Sequence, residues 1–308
     1  MHPFRGVIPA HLLPFTADLE IDEPNLRRHL RALLEVDGVT GITTNAHASE
    51  VATLDADERR RLLDIVLDEV GGRVPVVSGV YQDGSAKAAR IAADAEAAGA
   101  SGLLVFPTAV FEGGGPSRPE MALGHYSAIA DATSLPLIAF LYPSTSGLRL
   151  PTDTVVRLCT EIEQIVAVKE WSNDIVAYER NLRALRELDR PVAVLSSFSR
   201  SLLASLVLGA DGILSGHGSV VVDLHVGLWR AVEKQDLAEA RRIWDRIQPV
   251  AEACYADPFL DGHNRMKVAL AALDRIDEAH VRPPLQPIPA AERQALREAV
   301  AAAGLARG

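Results

Sequence analysis

The chain has 308 residues, 48% of them hydrophobic, and it carries 41 acidic against 31 basic side chains. This length fits one large α/β domain or two average ones, and the hydrophobic share is enough for a full core. The net charge of −10 argues against a nucleic-acid-binding or anionic-membrane surface, so we expect neither partner.

Short apolar runs alternate with amphipathic stretches of about 12 to 18 residues, as in parallel βα proteins. Asp22 ahead of Pro24 is typical of a helix start, and acidic residues at 55–58 favour the positive end of a second helix. The apolar runs predict eight strands, at residues 7–15, 41–45, 74–80, 102–107, 135–142, 165–171, 192–197 and 212–217. Eight strand–helix units within residues 7–233 predict a closed (β/α)8 TIM barrel.

An open doubly wound sheet is the alternative fold, but no G-x-G-x-x-G follows the first strand. After Lys234 the pattern is helical only, at 237–256, 265–273 and 290–303. We interpret residues 1–233 as the barrel and residues 234–308 as a C-terminal helical extension packed on it.

The two cysteines and the chain start bear on the compartment. Cys159 and Cys254 provide neither a disulfide framework nor metal-ligand spacing, which fits a reducing compartment without a bound metal. Residues 1–6 lack the apolar stretch of a signal peptide, and no run reaches the roughly 18 uncharged apolar residues of a membrane span. We therefore expect a soluble, cytoplasmic protein.

Lys169 is the most informative residue of the chain. It is one of only four lysines and ends an apolar strand-like run, whereas Lys87, Lys234 and Lys267 have polar, helix-like neighbours. A desolvated lysine has a lowered pKa, so part of it is a free amine that can attack a carbonyl and form a Schiff base. The alternative is a lysine that extends to solvent from the strand end.

Chemistry in a TIM barrel belongs at the carboxyl ends of the strands. Tyr142 ends the strand beside that of Lys169, so its phenol is a candidate proton carrier, or else an aromatic ring packed at the barrel rim. The other polar residues near strand ends are Thr43, Thr44, Asn45, His47, Ser49, Glu50, Glu170, Ser196, Ser197, Ser215 and His217.

Four segments, in this order and spacing, resemble the dihydrodipicolinate synthase/N-acetylneuraminate lyase family. Residues 6–16, GVIPAHLLPFT, are similar to its first strand, and residues 140–143, FLYP, to its catalytic-tyrosine strand. Residues 165–170, IVAVKE, resemble its Schiff-base strand, and residues 263–270, HNRMKVAL, its N-P-I-P-V-K-x-A-L segment. The resemblance implies a homotetrameric (β/α)8 class I aldolase or lyase that acts on a 2-oxo acid such as pyruvate, without a metal or other cofactor.

The resemblance assigns the imine to Lys169 and the proton relay to Tyr142, but other motif positions differ. The family's carboxylate-binding G-T-T-G-E aligns with residues 46–50, AHASE, so both threonines are lost. The arginine expected after Tyr142 and the tyrosine expected after Pro107 are also absent. These differences argue against dihydrodipicolinate synthesis and leave the imine chemistry intact.

His47 stands where the family has a threonine, and imidazole can act as acid, base or carboxylate partner. We therefore expect Lys169, Tyr142 and His47 to be catalytic. The expected substrate contacts are Asn45, Ala48, Ser49, Ser196, Leu214 and His217. His11 is a weaker candidate, Glu50 is expected to cap or orient the next helix, and Trp171 and Phe106 either line an apolar pocket or fill the barrel.

Three functions remain open at this point. The first is aldol cleavage or condensation of a 2-oxo acid, and the second is dehydration or hydratase-aldolase chemistry on a sugar acid or aromatic 2-oxo acid through the same imine. The third is a barrel that binds a 2-oxo acid without turnover. Metal-dependent aldol chemistry ranks below these because no cluster with ligand spacing appears in the sequence.

Overall fold

The computed structural model describes residues 4–305 and consists of eight parallel strands surrounded by helices. The strands are β1 (Gly6–Pro9), β2 (Ile42–Thr44), β3 (Val76–Val80), β4 (Gly102–Val105), β5 (Leu137–Leu141), β6 (Ile165–Glu170), β7 (Ala193–Ser196) and β8 (Gly212–Ser215). The order β1-β8-β7-β6-β5-β4-β3-β2 makes one sheet, and parallel bridges Val7–Val39 and Ala10–Thr43 join its two ends. The predicted (β/α)8 TIM barrel is confirmed.

A helix follows each strand. These helices are α1 (Glu23–Leu34), α2 (Ala56–Val70), α3 (Ser85–Ala98), α4 (Pro119–Ala130), α5 (Thr152–Glu161), α6 (Ile175–Arg186), α7 (Leu202–Val207) and α8 (Val222–Glu233). Asp22 caps α1 by accepting a hydrogen bond from the Asn25 amide at 3.1 Å, and Asp55 caps α2 reciprocally with Glu58. The starts of α1 and α2 could be predicted from the sequence because they depend on these neighbouring residues.

Three helices complete the chain as the C-terminal extension: α9 (Leu237–Cys254), α10 (Gly262–Ala272) and α11 (Ala290–Ala302). α9 packs against α8 of the barrel, and α11 packs on α9 and α10. The outer limits of the two predicted regions, 1–3 and 306–308, lie outside the described residues, and the division at 233/234 stays a prediction. None of the helices within residues 4–305 is long and apolar enough to cross a membrane.

The predicted strand at 7–15 was too long, since β1 ends at Pro9 and residues 10–15 leave the sheet. Leu12 and Leu13 are fully buried there, and Phe15 makes an isolated antiparallel bridge to Ile21. An apolar run shows burial but does not distinguish a strand from a buried irregular segment. Most of the other strands end one or two residues early, so Tyr142 and Trp171 lie in loops and His217 begins a short 3₁₀ turn, His217–Ser219.

Candidate active site

Lys169 lies on β6, opposite Phe140 of β5 and Leu195 of β7, and is only 5% exposed. Its Nζ lies 4.1 Å from the centre of the Phe140 ring. Its amine makes no hydrogen bond or ion pair with any residue between 4 and 305. Burial lowers the pKa of Lys169 to about 7, so a large fraction of the amine is neutral at physiological pH.

Lys169 is not the only buried lysine, although the polar, helix-like neighbours of Lys267 gave no sign of its burial. Lys267 is fully buried on α10, forms an ion pair with Glu50, and donates to the His280 carbonyl at 2.8 Å. Burial lowers the pKa of Lys267, and the Glu50 charge opposes this shift. The Glu50 side chain does not cap α2, whose N-cap is Asp55, and the other expectation, that Glu50 orients the following segment, stays a prediction. The two lysines differ in that only Lys267 has a counter-charge.

Tyr142 and His47 form a hydrogen-bonded pair between the Tyr142 hydroxyl and His47 Nε2. Tyr142 directly follows β5, and His47 begins a single 3₁₀ turn after β2. The His47 ring packs edge-on against Phe106, with 4.7 Å between ring centres. Burial, followed by the nearby His263 and Lys169, lowers the pKa of His47 to about 3, and burial raises the pKa of Tyr142. Both groups are therefore uncharged at neutral pH.

Lys169, Tyr142 and His47 share one cavity of about 430 Å³ at the carboxyl ends of the strands. The barrel also contributes Ala48, Glu50, Phe140, Trp171 and Gly216 to its lining. The C-terminal extension closes the other side with Tyr255, Phe259, Leu260, His263 and Leu285. The site therefore combines one neutralisable amine, a neutral phenol–imidazole pair and a largely aromatic wall.

Of the six expected substrate contacts, only Ala48 lines this cavity. Asn45 donates to the Arg59 carbonyl at 3.1 Å, and Ser49 donates to the His11 carbonyl at 3.2 Å. Ser196 is bonded to Ser205 at 2.6 Å, and Leu214 is fully buried in β8. These four side chains stabilise the barrel around the site and do not face into it.

His217 is also fully buried outside the cavity lining, with its ring 5.9 Å from that of Tyr255 and 5.6 Å from that of His225. Burial lowers its pKa to about 3. The neighbouring Gly216, whose backbone approaches the His263 ring, contributes to the lining instead. The weaker candidate His11 is buried and bonded through Nε2 to the Thr44 hydroxyl at 2.8 Å.

The cavity residues that the sequence did not reveal come mainly from the extension. His263 is the clearest example: its ring nitrogens hydrogen-bond to no residue within 4–305, and burial lowers its pKa to about 4. It stands in the segment HNRMKVAL, which resembles a family motif, but the resemblance assigned no role to the histidine. Within residues 4–305, no three His, Cys, Asp or Glu side chains are grouped so as to hold a metal ion.

Comparison with known proteins agrees with this architecture. The Dihydrodipicolinate synthetase family matches residues 3–303. The 4-hydroxy-tetrahydrodipicolinate synthase of Methanopyrus kandleri is 33% identical and covers 82% of each chain, and that of Syntrophus aciditrophicus is 32% identical over 98% of this chain and 99% of its own. The crystal structure of dihydrodipicolinate synthase from Thermotoga maritima superimposes with a TM-score of 0.90 at 26% identity, over 98% of this chain and 99% of the other. The chain therefore belongs to the dihydrodipicolinate synthetase family of lyases.

Proposed function

We propose that this lyase acts on a 2-oxo acid such as pyruvate through a Schiff base on Lys169. The observation that carries the proposal is the buried Lys169 amine, which opens into the cavity with no counter-charge and has a pKa of about 7. Burying an unpaired ammonium destabilises a fold, so a lysine at this position needs a functional reason. The Tyr142–His47 pair beside it supplies the proton carrier that imine chemistry requires.

The proposed reaction begins when the Lys169 amine adds to the keto carbon and loses water to give a protonated imine. In the condensation direction, loss of a proton from the adjacent carbon gives an enamine, which attacks the carbonyl carbon of an aldehyde. The proton lost from the adjacent carbon passes through the Tyr142 hydroxyl to His47. The Tyr142 phenol then gives its proton to the developing alkoxide, and His47 returns the stored proton to Tyr142. Water then hydrolyses the imine and releases a 4-hydroxy-2-oxo acid, and cleavage follows the same steps in reverse.

We further propose that the turn at residues 46–50 holds the carboxylate of the 2-oxo acid. The resemblance aligns this turn with a carboxylate-binding loop, and Ala48 lines the cavity. At the start of a helical turn the first amides lack an internal partner, and here the amides of His47 and Ala48 donate to no carbonyl within residues 4–305. The predicted roles of Ser49 and Asn45 are then indirect, through the position of this turn.

Borohydride trapping tests the imine. With pyruvate, the wild-type protein should gain one reduced pyruvyl group on the peptide that contains Lys169, and Lys169→Ala should gain none. Lys87→Ala, which removes an exposed lysine, is the matched control and should be labelled like wild type. A label on Lys87, Lys234 or Lys267, or no label at all, would overturn the assignment.

Dehydration of a hydroxylated 2-oxo acid is the second candidate, because it shares the imine and differs only in the group that leaves the β-carbon. A binding protein without turnover has no use for a neutral amine, which favours an enzyme.

For the assembly we propose a homotetramer, and light scattering should give four times the chain mass of 33.1 kDa. Both cysteines are free and buried, which supports a cytoplasmic location.

A further inference from the structure

Three aromatic rings form one wall of the cavity, which begins at Trp171, with its ring centre 5.9 Å from that of Tyr142, and extends from there into the C-terminal extension. Trp171 follows β6, and Tyr255 and Phe259 belong to the extension. The centres of the Trp171 and Phe259 rings are 5.4 Å apart, and the Phe259 and Tyr255 rings are 5.8 Å apart and nearly parallel. These spacings are those of packed aromatic rings, so together they present a continuous aromatic surface.

This wall continues to the cavity mouth as exposed apolar surface. Phe259 is 42% exposed and Leu260 is 63% exposed, although both line the cavity. A large exposed apolar patch at a cavity edge often marks the site of a ligand. Covering Phe259 with an apolar ligand would remove this surface from water, which is favourable.

The charges around the cavity determine which ligand the wall accepts. Apart from Lys169, which the 2-oxo acid occupies, no lysine or arginine of the described chain, 4–305, lines the cavity. Burial lowers the pKa values of His47 and His263 to about 3 and about 4, so both rings are neutral at physiological pH. Glu50 is already paired with Lys267. A carboxylate on the second substrate would therefore be desolvated without a partner, and that is unfavourable.

We propose that the second substrate of this site is an uncharged aromatic aldehyde, whose ring packs on Trp171 and Phe259. This inference rests on the proposed imine function, and it adds the class of the partner. The enamine carbon forms a bond to the aldehyde carbon, and the carbonyl oxygen takes the Tyr142 proton. After hydrolysis of the imine, the product is a 4-aryl-4-hydroxy-2-oxo acid.

A competition between three aldehydes tests the aromatic preference, with pyruvate as the common partner. Benzaldehyde represents an aromatic substrate, glyceraldehyde a sugar-like one and succinic semialdehyde a carboxylated one. We expect kcat/KM for benzaldehyde to exceed the other two values by about tenfold or more, the factor for about 1.4 kcal/mol of differential binding. Equal values, or a preference for glyceraldehyde or succinic semialdehyde, would overturn the inference.

Substitution of Phe259 tests whether the aldehyde ring binds against the aromatic wall. Phe259→Ala should raise the KM for benzaldehyde about 5- to 10-fold, leave kcat within about twofold, and leave borohydride trapping with pyruvate unchanged. Trp244→Ala, which removes a half-buried ring of α9 outside the cavity, is the matched control and should keep the wild-type KM. An unchanged KM in Phe259→Ala would place the aldehyde elsewhere.

Different results would contradict the imine on Lys169 and the aromatic aldehyde as second substrate. Absence of trapping in the wild-type protein would remove the imine function itself. Normal trapping without the benzaldehyde preference would remove only the aromatic subsite.

Discussion

At the scale of single residues, the two buried lysines have opposite roles. Lys267 has Glu50 as counter-charge and fixes structure, whereas the Lys169 amine lies 4.1 Å from the centre of the Phe140 ring and pairs with no acidic residue between 4 and 305. A cation over an aromatic ring recovers only part of the hydration energy that an ammonium loses on burial. The buried Lys169 ammonium therefore lowers the free energy of unfolding at neutral pH, where we propose that the amine reacts.

Lys169→Met should accordingly stabilise the protein. The pKa of Lys169 is lowered from 10.5 to about 7, so between these values the unfolded chain binds more protons and wild-type stability rises with pH. The variant escapes a cost of about 4 kcal/mol at pH 7, which falls to about 1 kcal/mol at pH 10. Urea denaturation of both proteins at the two pH values measures this difference.

The exposed lysine supplies the control for that experiment. Lys87→Met changes the same side chain at an exposed position and should alter the free energy of unfolding by less than about 0.5 kcal/mol at either pH. An equal gain for Lys169→Met at pH 7 and pH 10 would show that packing, and not charge, causes the effect.

His47 is the residue at which this chain departs most clearly from the family motif. Its removal leaves the Tyr142 hydroxyl without its ring partner, so His47→Ala should lower kcat by about 10²- to 10⁴-fold, the usual effect of losing an acid–base group. Tyr142→Phe should have a similar effect, and the double variant should be no worse than either single one because the two groups act as a unit.

Steady-state kinetics with the 2-oxo acid that traps best provide the measurement. A rise in KM with unchanged kcat would assign His47 to substrate binding alone. His47→Thr, which moves the turn towards the family motif, should bind the carboxylate better than His47→Ala does. Wild-type kinetics in His47→Ala would contradict any role for this ring.

At the scale of elements, the turn after β2 is fixed to α10 by the Glu50–Lys267 ion pair. Glu50 has a left-handed backbone, with φ of 51°, and its second carboxylate oxygen accepts from the Arg282 amide at 3.5 Å. The pair thus connects the turn that carries His47 with the helix that carries His263. The C-terminal extension is part of the site because α10 and the loop before it reach the cavity mouth.

Breaking this pair should destabilise the whole chain. Lys267→Met leaves the Glu50 carboxylate buried and unpaired, and we expect a loss of about 3–5 kcal/mol in the free energy of unfolding. The double variant Lys267→Met, Glu50→Gln should recover much of this loss, because neither side chain is then charged. Urea denaturation checks both, and a double variant that is less stable than Lys267→Met would contradict the argument.

An exposed ion pair is the control at this scale. Arg60 and Asp64 interact at 2.9 Å on α2, and both side chains are at least half exposed. Arg60→Ala should therefore cost less than about 1 kcal/mol.

The sequence predicted what depends on local pattern, and missed what depends on distant contacts. Apolar periodicity and helix caps predicted eight strands and their helices, and the position of Lys169 at a strand end led to the prediction of imine chemistry, which stays a prediction. The burial of Lys267 follows from Glu50, which lies far away in the chain, so the polar neighbours of Lys267 gave no sign of it. Phe259 and His263 reach the cavity only because the extension folds back over the barrel.

At the scale of the whole molecule, a ligand that binds only the folded barrel must raise its stability. An imine on Lys169 adds to this effect, because the uncompensated buried amine becomes part of a bound group that carries its own carboxylate. Pyruvate at about 100 times its dissociation constant should stabilise the protein by about 2.7 kcal/mol, and the thermal midpoint should rise by several degrees.

Thermal unfolding of wild type and Lys169→Met, with and without pyruvate, tests this coupling. Without pyruvate, the variant should have the higher thermal midpoint at pH 7. Pyruvate should raise the midpoint of the variant little and that of the wild type by several degrees, so the less stable protein should show the larger rise. If the assembly is a homotetramer, both midpoints should also rise with protein concentration, while the pyruvate shift should depend only on Lys169. A pyruvate shift of equal size in Lys169→Met would mean that pyruvate stabilises the fold from a site other than this amine.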